Sequence, residues 1–214
     1  MDIIATLIDF ILHIDKHLVS IVNDYQYWSY LMLFLIIFAE TGLVITPFLP
    51  GDSVLFAIGA LIAKPETNLN IIAMLSLLIV AAIIGDFLNY EIGKYFGLRV
   101  FKQDSKIFKP SYLQKTQTFY ANHGSKTIIY ARFVPIVRTF APFVAGISKM
   151  TYSHFGKYNI IGGILWVSIF LFAGYFFGQI TFIQKNFSLV VLAIIGISLL
   201  PPIIEVLKSR KASK

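Results

Sequence analysis

The sequence predicts an all-α membrane protein: an inverted-topology repeat with two re-entrant helical hairpins, about four spanning helices and an N-terminal interfacial helix. Composition is the first reason. The 214 residues are 57% hydrophobic and 14% charged, whereas a soluble domain carries about 25% charged residues. That much apolar surface cannot be hidden inside one core of this size, so part of the solvent is lipid. The second reason is that the apolar stretches come in two kinds, some long enough to cross a bilayer and some short and interrupted. The third is that Lys and Arg collect on one side once the crossings are counted.

The elements follow in chain order. Residues 1–29 form the N-terminal region, where Asp2, Thr6, Asp9, His13, Lys16 and Ser20 recur three or four apart. This spacing makes one polar helix face, so residues 2–22 are expected to lie in the membrane surface, a first spanning helix being the alternative. The start lacks a basic region, and Asp9 and Asp15 break its apolar run, which argues against a signal peptide. A transport domain is expected over 30–180. Its first repeat, 30–97, holds a span at 30–46, an interrupted stretch at 47–63 and a span at 71–96. A basic segment, 98–126, precedes the second repeat, 127–180, with an interrupted stretch at 127–148 and a span at 155–178. Residues 181–214 supply a last span, 187–207, and a basic tail. The two interrupted stretches carry prolines and glycines near their middles. Non-helical backbone is tolerated at membrane depth only under cover of protein or a watery cavity, so both are read as hairpins that enter and leave on one side.

Charge orients the chain. The tail holds Lys208, Arg210, Lys211 and Lys214, and counting back places Lys149, Lys157 and the six basic residues Arg99, Lys102, Lys106, Lys109, Lys115 and Lys126 on the same side. The opposite loops keep only Lys64 and Lys185. The expectation is a multi-pass protein of the cytoplasmic (inner) membrane with N- and C-termini in the cytoplasm. Phe48-Leu49-Pro50 is echoed by Phe133-Val134-Pro135, and Gly93-Lys94-Tyr95-Phe96-Gly97 by Gly174-Tyr175-Phe176-Phe177-Gly178. One crossing separates the hairpins, so they enter from opposite faces, which is how many transporters place a site at the midplane. A chance match of two short motifs is the alternative.

Ionisable side chains at membrane depth cost about 2.5–3.5 kcal/mol each on insertion scales. Glu40 lies in the first apolar span, Asp52 follows Pro50-Gly51 at the first break, and Arg132 and Arg138 flank Pro135 at the second. If the hairpin tips meet, two acids face two arginines. A purely structural cluster is the plainer reading, but a buried ion pair rarely gains stability over packed apolar groups. Arginine forks bind phosphate oxygens bidentately, and a poorly solvated carboxyl group takes up protons more readily. Glu40, Asp52, Arg132 and Arg138 are therefore the candidate site for protons and an anionic, phosphate-bearing ligand. Asp86, Asn89 and Tyr90 share a helical face; they either line the same cavity or mark a polar helix end. Asn159 and Trp166 are further candidates to border it, though plain packing is the commoner role of such a Trp.

Other chemistry has little support. Without cysteine there are no disulfides or thiolate metal sites. His13, His17, His123 and His154 fall near expected interfaces, and the common hydrolase, zinc-protease and dinucleotide motifs are missing. No catalytic residue, metal or cofactor is expected. The net charge of +7 sits in loops between apolar runs and matches no nucleic-acid module. Oligomeric state has no signature in the chain.

Glu40-Thr41-Gly42 with Pro47-Phe48-Leu49-Pro50-Gly51-Asp52 resembles the first signature of the DedA family, also called the VTT or SNARE-associated domain family. Gly85-Asp86 through Tyr90 to Gly93 is similar to the second. Arg132-Phe133-Val134-Pro135-Ile136-Val137-Arg138, followed by Ala145-Gly146, Met150, Phe155, Asn159, Gly162 and Trp166, resembles the third. The resemblance covers roughly residues 30–180. It implies the inverted repeat, and an essential acidic and arginine pair at Glu40, Asp52, Arg132 and Arg138. It also implies lipid movement linked to the proton motive force, such as recycling of undecaprenyl phosphate in support of the envelope. The alternatives it leaves open are a phospholipid scramblase and a proton-coupled transporter of small molecules or ions.

Overall fold

A computed structural model of the chain describes residues 22–43, 51–100, 110–134 and 137–185, with 190 and 193. The elements among them are helices: α1 (Gln26–Gly42), α2 (Gly51–Ile62), α3 (Ile71–Phe96), α4 (Pro110–His123), α5 (Thr127–Ala131), α6 (Val137–Ile147), α7 (Tyr152–Gly178) and α8 (Thr181–Lys185). Short 3-10 turns follow α3 at Gly97–Val100 and α4 at Gly124–Lys126.

Two of the expected spans stand out as helices of crossing length, Ile71–Arg99 and Tyr152–Gly178. Only 33% of the most apolar window of each is buried within the protein, so most of each faces outward. Ile72, Val80 and Ile84 on α3, and Ile160, Ile164, Ile169 and Phe176 on α7, are exposed. Apolar faces of this extent mark a membrane or partner surface rather than a wet one. The expected span at 30–46 is helical as α1, whose 17 residues extend about 25 Å at 1.5 Å per residue. Its last three residues lie outside the described residues. So do the expected interfacial helix (apart from residue 22), the span at 187–207 (apart from 190 and 193), the basic tail, and the proline-bearing breaks at 47–50 and 135–136. The stretches expected as hairpins contribute α2 in the first half of the chain and α5 with α6 in the second.

Local chemistry explains the ends. Asn70 Oδ1 accepts from the N–H groups of Ile72 and Ala73 at 2.9 and 3.0 Å, capping the start of α3. At its far end Gly97 turns left-handed, with φ +62°. The end of α6 is a Schellman closure: Met150 N–H donates to Ala145 O at 3.1 Å and Lys149 N–H to Gly146 O at 3.0 Å, with Lys149 itself at φ +53°.

The chain divides into two compact units, one of Met1–Leu31, Pro50–Met74 and Ile169–Lys214, the other of Met32–Leu49 and Leu75–Ser168. In the first, α2 lies against the end of α7 at a separation only small residues permit. A Cβ at Gly59 would strike the backbone of Leu171 and Tyr175, and one at Gly174 the backbone of Phe56. Phe56 and Phe177 rings pack alongside, 6.0 Å apart. In the second unit α6 meets the end of α3 in the same manner. A Cβ at Gly93 would strike the backbone of Phe143, and one at Gly146 that of Tyr90. Each unit thus joins a short helix of one repeat to a long helix of the other, and the echoing Gly93 and Gly174 have the same task.

The polar segment between the repeats contains α4, which the charge count alone did not reveal. Pro110 starts it, and Tyr112 and Thr116, one turn apart, are buried. Tyr112 packs on Phe140 with ring centres 5.4 Å apart. Tyr120 donates its hydroxyl proton to Ala141 O at 2.9 Å, which fastens α4 to α6. Burial pushes the Tyr120 hydroxyl pKa up, and the charge of Asp86 adds to the effect. Tyr120→Phe is expected to cost about 1 kcal/mol. The sign for pH follows: a raised folded pKa means stability is intact below about pH 10 and falls as the unfolded tyrosine ionises above it. Melting curves on either side of that pH should show this fall in the wild type and a smaller one in Tyr120→Phe.

Candidate functional site

The second unit gathers the buried charges around one small cavity. Its lining is Glu40, Thr41, Asp86, Arg132, Arg138, Thr139 and Trp166, and its volume is about 10 Å³, close to the least that holds a single water.

Glycines bring the acids there. Gly42 and Gly85 face each other where α1 crosses α3: a Cβ at Gly42 would lie 3.2 Å from Gly85 Cα, and one at Gly85 3.0 Å from Phe38 O. Each is next to a site residue, so the close crossing sets Glu40-Thr41 beside Asp86. Thr41 returns its hydroxyl proton to Ile37 O at 2.9 Å. The side-chain amide of Asn89 then ties the end of α1 to α6, donating to Thr41 O at 3.2 Å and Thr139 O at 2.9 Å.

The arginines arrive from the break between α5 and α6. Arg132, 5% exposed, directs Nη2 to Asp86 Oδ2 at 2.5 Å and to Asn159 Oδ1 at 2.6 Å. Asn159 is held in turn by donating to Ile83 O at 3.0 Å. Arg138 stands at the start of α6 and forms an ion pair with Glu40. Trp166 is within reach of both cations, with guanidinium carbons 5.7 Å (Arg132) and 5.2 Å (Arg138) from its ring centre, within cation–π range. Among the described residues, Nε of Arg132 and Oε2 of Glu40 are buried and make no hydrogen bond.

The arrangement decides one open reading and departs from one expectation. The buried acid facing Arg132 is Asp86, which the sequence left open between a cavity wall and a helix end. At 4% exposure it is an interior charge. Asp52 is half-buried in the first turn of α2, within the first unit. Tyr90 lines no part of the cavity: its ring stacks on Phe155 at 4.6 Å and its hydroxyl bonds Met150 O. Asn89 and Asn159 stand behind the lining and hold it in place. Thr41 and Thr139 line the cavity without having been singled out. Each adjoins a charged site residue in sequence, which was the available signal. No group of three or more His, Cys, Asp or Glu side chains suited to a metal occurs among the described residues.

The family model described as VTT domain matches residues 49–176. Over all 214 residues the chain is 56% identical to Protein DedA of Escherichia coli strain K12, covering 98% of that protein. It is 40% identical over 183 residues to an uncharacterized membrane protein of Mycobacterium tuberculosis, across 85% of this chain and 80% of the other. To inner membrane protein YghB of Escherichia coli it is 34% identical over 188 residues, 86% of this chain and 82% of that one. No solved structure matches.

Proposed function

The chain belongs to the DedA family of VTT-domain membrane proteins, and on that premise we propose that it is a proton-linked flippase for a phosphorylated polyprenyl lipid such as undecaprenyl phosphate. It works in the cytoplasmic membrane with both termini in the cytoplasm, its interrupted stretches forming re-entrant hairpins, and it serves maintenance of the envelope. One observation carries the reading: two guanidinium groups, two carboxylates and one indole ring line a single small cavity.

Two chemical properties of that set support it. Guanidinium forks suit phosphate oxygens, and their attraction strengthens where water is excluded. Carboxylates in such a place exchange protons with a change of partner. A cavity of about 10 Å³ is too small for a phosphate group, so the acids, paired with the arginines, stand where the ligand would. Opening to either face exposes the arginines, and the lipid tail stays in the bilayer throughout. Proton binding biases the direction only by binding the two states unequally.

The test is reconstitution of the purified chain in phosphatidylcholine vesicles with a fluorescent short-chain polyprenyl phosphate. The expected result is movement between leaflets that accelerates with an imposed pH gradient. Equal movement of uncharged phospholipid would point to a scramblase, and movement of small solutes alone to a different transporter. Release of inorganic phosphate by the pure protein would make it an enzyme.

A further inference from the structure

Resting on the reading that the cavity takes a lipid phosphate, we propose that Asp86 is the displaceable counter-ion of Arg132. The phosphate takes its place on the guanidinium, and Asp86 leaves the pair as the neutral acid, carrying one proton.

The argument begins with charge. Glu40 comes from α1, Asp86 from α3, Arg132 from the break after α5 and Arg138 from α6; α7 supplies only the neutral Trp166 and Asn159. From α4, Tyr120 feels the charge of Asp86 and is a phenol that donates to Ala141 O. The cavity lining itself thus carries two cations and two anions, which sum to zero. A phosphate monoester brings about −1.5 to −2 near neutral pH, and uncompensated charge in a closed interior costs several kcal/mol per ion. Arginine cannot change its charge in response. The phosphate's own second proton meets part of that excess, and one proton on a carboxylate offsets the remaining unit.

Geometry selects which one. Arg132 has two acceptors on the same nitrogen, one titratable (Asp86) and one permanent (Asn159). When Asp86 lets go, Asn159 and the Trp166 ring still hold the guanidinium in place. Its Nε is an unused donor. Gly162 lets α7 pack closely against that edge, since a Cβ there would sit 3.1 Å from Nε. Arg132 is thereby built to exchange one anion for another without moving. The exchange balances: the Nη2 hydrogen bond passes from Asp86 to a phosphate oxygen, the carboxylate gains one proton, and no covalent bond of the lipid breaks.

The experiment counts protons. The full chain in phosphatidylcholine nanodiscs is titrated with farnesyl phosphate by calorimetry, in buffers of differing ionisation enthalpy near neutral pH. Wild type is expected to take up about one proton or more per ligand, and Asp86→Asn to bind while taking up about one fewer. Wild-type binding with no proton uptake overturns the proposal without recourse to any variant. So does unchanged uptake in Asp86→Asn, or loss of the proton in Glu40→Gln alone, and either leaves the lipid-phosphate reading standing. Failure of wild type to bind farnesyl phosphate overturns that reading and this one together. Infrared difference spectra give a second measure: a protonated-carboxyl band appears on ligand addition to wild type and is missing from Asp86→Asn.

Discussion

An Arg132→Ala variant is expected to move phosphorylated polyprenyl lipid at least 100-fold more slowly than wild type, and restoring its stability is expected not to restore transport. The guanidinium makes two charge-assisted hydrogen bonds and a cation–π contact with Trp166. The bond that passes from Asp86 to the phosphate, between two full charges away from water, is worth about 3 kcal/mol, which is roughly 100-fold. The single variant also leaves Asp86 buried without its cation, at a cost of about 3–5 kcal/mol unless it protonates. Arg132→Ala/Asp86→Asn removes that stranded charge, so its thermal stability should return toward wild type while its transport stays absent. The pair of measurements separates two roles that a single variant confounds. Were the cluster only a clamp between helices, the stabilised double variant would transport normally, and the flippase reading would fall. Arg132→Lys is a further check, because it keeps the charge and loses the planar fork; its transport should remain far below wild type.

The charged residues were legible because each breaks an apolar run. Glu40, Arg132 and Arg138 could be picked out by cost alone. Their pairing could not, since partners are set by where helices cross. The Gly42–Gly85 contact puts Asp86 at the cavity, and nothing in the one-dimensional pattern distinguishes a glycine that packs from one that turns. Asp86 also sits five residues before Glu91, which made a polar helix end an equal reading. Tyr90 shared the face of Asp86 by spacing, yet its ring is large enough to reach Phe155 instead. Helix α4 was hidden for the opposite reason. Its buried face rests on few side chains, chiefly Tyr112, Thr116 and Tyr120, within a segment whose Lys content reads as loop. The echo of motifs was legible in the chain, and the structure adds that two of its members, Gly93 and Gly174, have matched packing tasks. The echo is imperfect at its last position. Gly97 turns the chain with φ +62° and open space beside it, whereas Gly178 packs 2.8 Å (from its would-be Cβ) against Ala60 Cα.

Those glycines carry the other large effect. Valine at Gly93 or Gly146 is expected to destroy the packing of α6 on α3, and valine at Gly59 or Gly174 that of α2 on α7. In every case the new Cβ meets backbone, with Lys94 N 2.8 Å from the Gly146 position, Phe143 Cα 2.9 Å from Gly93, Tyr175 N 2.8 Å from Gly59 and Phe56 C 2.7 Å from Gly174. Side chains can rotate away from such an intrusion; two helix backbones can only separate. Overpacking of a relaxed kind costs about 1–3 kcal/mol, and here the upper end is the starting point, so the melting temperature should fall by roughly 10 °C or the protein fail to accumulate. Alanine at Gly156 is the control, because its Cβ would meet the tip of the Phe87 ring at 3.2 Å, and a ring can tilt. Thermal unfolding followed by size-exclusion chromatography in detergent reads the series. The repeat makes a stricter demand than any single variant: Gly93→Val and Gly174→Val should be comparably damaging, because each removes the same kind of contact from a different unit. A Gly174→Val protein that melts like wild type while Gly93→Val collapses would mean that the two halves are not held by equivalent contacts, and the structural case for an internal repeat would be lost.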